Sequence, residues 1–243
     1  MRNRLLTLIA VLAMTLMTGC ASTSNKDPLE GLNRGIYKFN DVADKAVFKP
    51  VAGAYKAIAP NPVQTGISNF FGNLKTFMTT INQVLQFKFS KAAESATRFV
   101  VNSTVGIVGL IDVASKTGIP QYTEDFGQTL GHWGVGNGAY LMLPILGPST
   151  FRDTAGLLVD YSFFDPVIYI DNVRVRNSLY ALRFTSIRAS YLPGSDLLDE
   201  AALDPYTFMR DAYMQRRESQ LNDGVVTYLN DDDGQETTEP VKQ

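Results

Sequence analysis

The sequence predicts an all-α fold in a single domain, and three observations predict it. From residue 27 onward, apolar residues recur at helical spacing in segment after segment. Two Asp-Pro pairs, Asp27-Pro28 and Asp204-Pro205, join a residue that caps helices to the one best tolerated at a helix's first position. Hairpin signals are missing, apart from a weak one around the glycines of residues 127–138.

Asp27-Pro28 opens the first helix, in which Leu29, Leu32, Ile36, Phe39, Val42, Ala43, Ala46 and Val47 share helical spacing up to Lys49-Pro50. A short helix over Val51 to Ile58 stops at the Pro60-Asn61-Pro62 turn. Val63 to Phe87 reads as one or two helices, with Gly66 and Gly72 as candidate breaks. Ser90 can cap a helix over Lys91 to about Thr104, and Ile107 to Ala114 is a further short apolar piece. Ser149 can cap a helix to about Tyr161. Pro166 opens a longer one to about Ala189, with Val167, Ile170, Val173, Leu179, Leu182 and Ile187 at helical spacing. Arg174, Arg176, Arg183 and Arg188 lie between those residues. Asp196 starts a short helix. Asp204-Pro205 starts the last, which carries Arg210, Arg216 and Arg217 as exposed cations. The helical domain is thus residues 27–222, and residues 223–243 read as an acidic, disordered tail.

Before residue 27 the signal is different. Arg2 and Arg4 form a basic head, Leu5 to Met17 an apolar run, and Thr18-Gly19 lead to Cys20, the sole cysteine. This is a secretory signal over residues 1–19 followed by a lipoprotein cleavage site. Signal peptidase II requires a small residue before the cut and an alkylated thiol after it. The alternative is an ordinary signal peptide with a chance cysteine at this place. On the lipoprotein reading, the mature chain begins at Cys20, and residues 20–26 form a lipidated linker. Acyl chains then hold it on a membrane, each buried methylene contributing about 0.8 kcal/mol. Ala21 and Ser22 lack the aspartate that retains many lipoproteins in the inner membrane, so the expected address is the periplasmic side of the outer membrane.

Composition excludes several function classes. Removing residues 1–19 leaves 224 residues with 20 basic and 24 acidic side chains, a balance that argues against a nucleic-acid partner. With Cys20 lipidated, no thiol remains for a disulfide, metal or nucleophile, and His132 alone cannot build a His-based metal cluster. No segment after Cys20 has the unbroken apolar length of a spanning helix. Residues 139–170 nevertheless carry a heavy apolar load, divided by Pro144, Pro148 and Pro166. Periodicity leaves two readings open there: a buried core, or short helices lying in a membrane. The glycines Gly127, Gly131, Gly134, Gly136 and Gly138 have neither the Lys-Ser/Thr of a phosphate loop nor a strand-then-helix setting.

Several strings, taken in order, resemble the MlaA (VacJ) family of outer-membrane lipoproteins. They begin with Asp27-Pro28-Leu29-Glu30-Gly31-Leu32-Asn33-Arg34, Tyr37-Lys38-Phe39-Asn40, Lys49-Pro50-Val51-Ala52 and Ser68-Asn69-Phe70-Phe71-Gly72-Asn73-Leu74. Arg98-Phe99-Val100-Val101-Asn102-Ser103-Thr104 with Gly106, Gly109 with Asp112-Val113-Ala114, and Phe126-Gly127-Gln128-Thr129-Leu130-Gly131-His132-Trp133-Gly134-Val135-Gly136 follow. Leu143-Pro144, Leu146-Gly147-Pro148-Ser149, Arg152-Asp153, and Asp204-Pro205-Tyr206 with Ala212-Tyr213 complete the set, which spans about residues 27–222. Ala139 departs from the family, which usually has proline before Tyr140.

The resemblance implies short and medium helices arranged as a membrane-embedded ring around an amphipathic pore. It implies removal of phospholipids that have strayed into the outer leaflet of the outer membrane, with trimeric porins as partners. The lipid passes to a soluble periplasmic carrier, MlaC, and on to an inner-membrane ABC-type complex, with no cofactor in the ring itself. On that footing Asn33, Tyr37, Phe39, Asn40 and Asp41 are candidates for holding the pore shut, and Gly127, Gly131, Gly134 and Gly136 for lining or hinging it. Arg174, Arg176, Arg183 and Arg188 are candidates for lipid phosphates. Each set has a structural alternative: helix caps and core hydrogen bonds, tight backbone packing, and solvated or snorkelling arginines. Two rival functions stand beside transport. An enzyme would need a nucleophile elbow, which the chain lacks, and His132 as base, with Asp125 seven residues away. A structural lipoprotein that tethers porins would have no lipid pore.

Overall fold

The computed structural model describes residues 27–201, 203–223, 225–229 and 236–240, with side chains for 27–195 and 203–223. The expected signal peptide over residues 1–19, Cys20 and the expected 20–26 linker lie outside the described residues.

Helix α1 spans Glu30–Ala43. Asp27 does not cap it. Asp27 is buried and accepts hydrogen bonds from Asn33 and from the Tyr206 hydroxyl of the last helix, so tertiary contacts take the side chain that local logic assigns to a cap. Nor does the chain break before Pro50. A π-helical turn over Asp44–Phe48 leads straight into α2, Lys49–Ile58. The Lys49 N–H reaches back five residues to the Asp44 carbonyl, and proline sits in the first turn of α2, where its missing N–H costs least. The wide turn also rephases the surface. At about 100° per residue, Val51 and Ile58 would stand well round the helix from Leu32 and Phe39. More residues per turn wind them back toward the same face, and all four are exposed.

Helix α3, Asn61–Leu85, runs unbroken through Gly66 and Gly72, and α4, Phe89–Thr104, folds back along it. The expected apolar piece at Ile107 is instead a tight loop, in which Ile107 and Val108 hold φ of 54° and 57°. It fits because Gly106 lies against backbone: a Cβ there would come within 2.2 Å of the Ile111 carbonyl. Buried Arg98 closes the loop through Asp112, Ser115 and the Ile119 carbonyl, and Asp112 caps the short helix α5, Val113–Lys116.

Helix α6, Phe126–His132, is capped by Asp125. The weak hairpin signal is real but lies after the glycines. Strands β1, Tyr140–Leu143, and β2, Gly147–Thr150, pair antiparallel, with Tyr140 opposite Thr150. Thr150, not Ser149, caps α7, Phe151–Val159, accepting from the Asp153 N–H at 3.1 Å. A second π-helical turn, Asp160–Phe164, and a 3₁₀ turn, Pro166–Tyr169, follow. The helix expected from Pro166 starts only at Val173, and α8 then continues through Pro193 to Ala201, absorbing the separate helix expected at Asp196. Helix α9, Pro205–Leu221, is capped by Asp204 as the sequence predicts. In the segment read as a disordered tail, Val225–Leu229 (β3) pairs antiparallel with Glu236–Pro240 (β4). The β-branched run Val225-Val226-Thr227 favours that conformation despite the acidic composition.

The apolar core is small. Tyr140, Met142 and Tyr206 are fully buried, flanked by Ile36, Tyr37, Met209, Tyr213 and Met214. It ties α1, the hairpin and α9 together.

Candidate functional site: a polar interior inside an apolar surface

The first layer of the site is a helix joined to a strand by side-chain amides. Asn33 and Asn40 stand seven residues apart, on one face of α1. Asn33 donates to the Tyr140 carbonyl at 3.0 Å and accepts from the Met142 N–H at 2.9 Å. Asn40 repeats the pattern, donating to Leu143 O at 2.9 Å and accepting from Ile145 N at 2.8 Å. Each amide supplies one donor and one acceptor, as a neighbouring strand would, so the free edge of β1 is satisfied by a helix.

The second feature is an inverted distribution of polarity. Among the described residues, nine hydrophobic side chains are buried against twenty-one polar or charged ones. Large apolar residues stand on the surface instead: Leu32, Phe39, Val42, Val47, Val51 and Ile58 on the α1–α2 arm, and Val105, Ile107, Val108, Leu110 and Ile111 on the strained loop. A water-soluble domain of this size shows the opposite pattern. No described helix is long and apolar enough to cross a membrane.

The interior is organised by α3. Asn73, Thr76, Thr79, Asn82, Gln83 and Gln86 recur at helical spacing on one face, and all are buried. Asn82 accepts from Thr129 at 2.8 Å and donates to Asp160 at 3.0 Å, while Gln86 reaches Glu124 at 3.0 Å. Behind this layer, Arg217 of α9 grips Asp125 and Asp153 at 2.7 Å each. Arg152 and the Tyr213 hydroxyl also bind Asp153. Burial alone would raise the Asp153 carboxyl, but Arg217, Tyr213 and Arg152 hold it down at about 2. Lys75 of α3 keeps solvent contact, yet surrounding protein atoms pull its ammonium below the ordinary lysine range. Asp125 and Asp160 oppose that pull, and Arg216 and Arg217 add to it.

Asp160 is the exception among these carboxylates. Burial pushes it up to about 6, against hydrogen bonds from the Phe126 N–H and Asn82. Its ordinary value is about 3.9, so between roughly pH 4 and 6 the folded chain binds more protons than the unfolded one. Stability therefore falls as pH rises through that window, by up to about 3 kcal/mol. The thermal midpoint in detergent, followed by circular dichroism, is expected to rise between pH 7 and 5. That rise should shrink in Asp160→Asn, and equal slopes in the two proteins would remove the assignment.

The structure separates the sequence-predicted candidates. Tyr37 packs edge-on against Tyr206, with ring centroids 5.8 Å apart, and Asp41 pairs with Lys45 one turn on. Phe39 is exposed beside Gly31, Gly35 and Pro144. Gly127 and Gly131 serve close packing. A Cβ on Gly156 of α7 would lie 2.3 Å from the Gly127 nitrogen, and one on Gly131 would lie 2.9 Å from the Arg152 guanidinium. Gly134 turns the chain with φ of 87°, and Gly136 faces open space. Two of the four interleaved arginines are committed: Arg183 forks onto buried Asp165, and Arg188 onto Asp44. Arg174 and Arg176 form no ion pair among the described residues, and Arg174 is exposed. Of the last helix's cations only Arg216 is exposed as expected: Arg217 is buried, and Arg210 is half-buried beside Asp211 and Asp27. No hydrogen bond joins His132 to Asp125 among the described residues, and Asp125 is taken by Arg217 and Gln128. No group of three His, Cys, Asp or Glu residues is placed to hold a metal ion among the described residues.

Sequence reasoning missed the buried face of α3 and the ion-pair network. The polar spacing on α3 was visible, but polar residues at helical spacing normally mark a solvated face.

A family model described as MlaA lipoprotein matches residues 25–220. The Escherichia coli (strain K12) intermembrane phospholipid transport system lipoprotein MlaA is 38% identical over 224 residues, covering 88% of each chain. The Haemophilus influenzae protein of the same name is 32% identical over 229 residues, covering 90% of this chain and 91% of that one. A solved structure, described as the structural basis for maintenance of bacterial outer membrane lipid asymmetry, superposes with a TM-score of 0.71 at 35% identity. That match covers 82% of this chain and 100% of the other.

Proposed function

The chain belongs to the MlaA lipoprotein family, and we propose that it removes mislocalised phospholipid from the outer leaflet of the outer membrane, as part of an intermembrane transport system that maintains lipid asymmetry. The observation that carries this reading is the inverted distribution of polarity. An apolar exterior on a body with no described helix long and apolar enough to cross a membrane suits embedding among the acyl chains of one leaflet. Polar side chains, which hydrocarbon excludes, are gathered into a hydrogen-bonded interior, as an apolar surrounding requires. On this reading the helices surround an amphipathic pore.

In the same proposal Cys20 carries the acyl anchor that fixes the protein to the periplasmic face. A porin trimer is the lateral partner, and the soluble carrier MlaC receives the lipid for an inner-membrane ABC-type complex. Arg174 and Arg176 remain candidates for lipid phosphates, while Arg183 and Arg188 act through Asp165 and Asp44 as parts of the frame. Asn33 and Asn40 position α1 on the hairpin, which fixes the exposed Phe39 and Val42 on the membrane side.

The test is a measurement of surface phospholipid in cells lacking the gene, using an enzyme that acylates lipopolysaccharide only when phospholipid is exposed. Surface phospholipid should rise in the null strain and fall on complementation. Complementation by Cys20→Ala then measures dependence on the anchor. An unchanged surface would overturn the proposal in favour of a porin tether.

A further inference from the structure

A polar cavity of about 280 Å³ opens between α2, α3 and α8, and nothing in the family's assigned function accounts for its lining. Thr65, Ser68, Ser186 and Ser190 contribute hydroxyls, and Gln64 and Asn69 contribute amides. Lys56 is the one charged residue in the lining. Lys56 forms no ion pair among the described residues, and the Tyr55 hydroxyl at the wall is buried without a hydrogen-bond partner. The amide donors are mostly used: Gln64 Nε2 donates to the Lys56 and Ala59 carbonyls at 3.2 and 2.7 Å, and Asn69 Nδ2 donates one N–H to the Leu110 carbonyl at 3.1 Å. What the two amides still offer is chiefly acceptor oxygens, with one further N–H on Asn69. Along the same three helices, Ile58, Val63, Ile187 and Tyr191 are exposed beside the lining residues in sequence. A polar cavity on helices that also expose apolar side chains matches an amphiphile.

We propose that this cavity binds the headgroup of an anionic glycerophospholipid whose single phosphodiester is followed by a polyol, as in phosphatidylglycerol. The volume has room for roughly nine waters at about 30 Å³ each, enough for a phosphoglycerol group but not for acyl chains, which lie on the rim. Lys56 meets the phosphodiester charge, and a charge-assisted hydrogen bond is the strong kind. Polyol hydroxyls donate to the free amide oxygens and exchange hydrogen bonds with the serine and threonine hydroxyls. No carboxylate lines the cavity, so the ammonium of an ethanolamine headgroup has no counter-charge there. Selectivity for the polyol lipid follows from that missing partner. This inference rests on the proposed role in phospholipid transport and adds a headgroup preference to it.

The test uses the purified full-length lipoprotein in detergent, given equimolar phosphatidylglycerol and phosphatidylethanolamine, with bound lipid counted by native mass spectrometry. Phosphatidylglycerol should be bound about tenfold in excess, the discrimination expected of hydrogen bonds that only the polyol makes and of an ammonium left without a counter-charge, the phosphodiester at Lys56 being common to both lipids. Lys56→Glu should abolish the excess, and Ser186→Leu, which fills the cavity from another helix, should lower binding of both lipids. An excess that survives both substitutions, or no excess in the unaltered protein, overturns the proposal. Soluble glycerophosphoglycerol in large excess separates the sources: displacement of the lipid means the headgroup carries recognition, and failure to displace it means the apolar rim does, which also overturns the subsite. In cells, a Lys56→Glu protein that still clears phosphatidylglycerol in preference to phosphatidylethanolamine refutes the subsite alone. Failure of the unaltered protein to clear surface phospholipid refutes the transport reading itself.

Discussion

Asp153→Asn is expected to lower stability by about 3–5 kcal/mol, the largest loss from a single change of nearly constant volume. The substitution removes one charge, leaving buried Arg217 with Asp125 alone and buried Arg152 with no carboxylate partner among the described residues. Arg152 would be stranded, because its other contact is a 3.5 Å approach to the Val135 carbonyl. The carboxylate also joins three elements: it sits in the first turn of α7, accepts from Tyr213 and Arg217 of α9, and packs over Gly127 of α6. For a domain of this size the thermal midpoint should fall by about 10 °C. Circular dichroism in detergent measures it, with Asp41→Asn at the partly exposed pair to Lys45 as the comparison that should move little. Equal shifts in the two variants would mean that the network stabilises no more than a surface pair.

The second large effect concerns the surface. Placing aspartate at Leu32, Val42 and Val51 together should release the α1–α2 arm from the bilayer without unfolding it, since all three side chains are already exposed. In hydrocarbon each charge costs about 2.5–3.5 kcal/mol at the bilayer centre and less near the interface, so three exceed any plausible adjustment by snorkelling. In water the same changes are nearly neutral. Two measurements separate these environments. In liposomes the amides of α1 should lose hydrogen-exchange protection relative to the unaltered protein, while in detergent the melting curve should stay within a few degrees. In cells the variant should accumulate surface phospholipid to the level of the null strain at equal protein abundance. Normal clearance by the triple variant would show that the exposed stripe does not contact acyl chains.

Both effects depend on features that local sequence rules read in the wrong direction. The polar face of α3 has the spacing of a solvated surface, and the stripe from Leu32 to Ile58 has that of a core. Each rule assumes water outside, and for this chain the outside is proposed to be hydrocarbon, which reverses the preference without altering the periodicity. The glycines show the same limit. Their density in residues 127–138 announces close packing or turns, but only α7 placed against α6 shows that Gly156 and Gly127 touch through backbone.

The sequence by itself determined where most helices form, that the last begins at Asp204-Pro205, and which family the chain resembles, because periodicity, capping and motif order are local properties of the chain. The hairpin at 140–150, the continuation of α1 through Pro50 and the withdrawal of Asp27 from its capping position were decided by tertiary structure. So were the engagement of Arg183, Arg188 and Arg217 by Asp165, Asp44, Asp125 and Asp153. The physical reason is common to all of them. A hydrogen bond or ion pair between residues well separated in sequence, 18 apart for Arg183 and Asp165 and 144 apart for Arg188 and Asp44, can outweigh a local preference of about 1 kcal/mol, and no single helical turn or cap contains both partners.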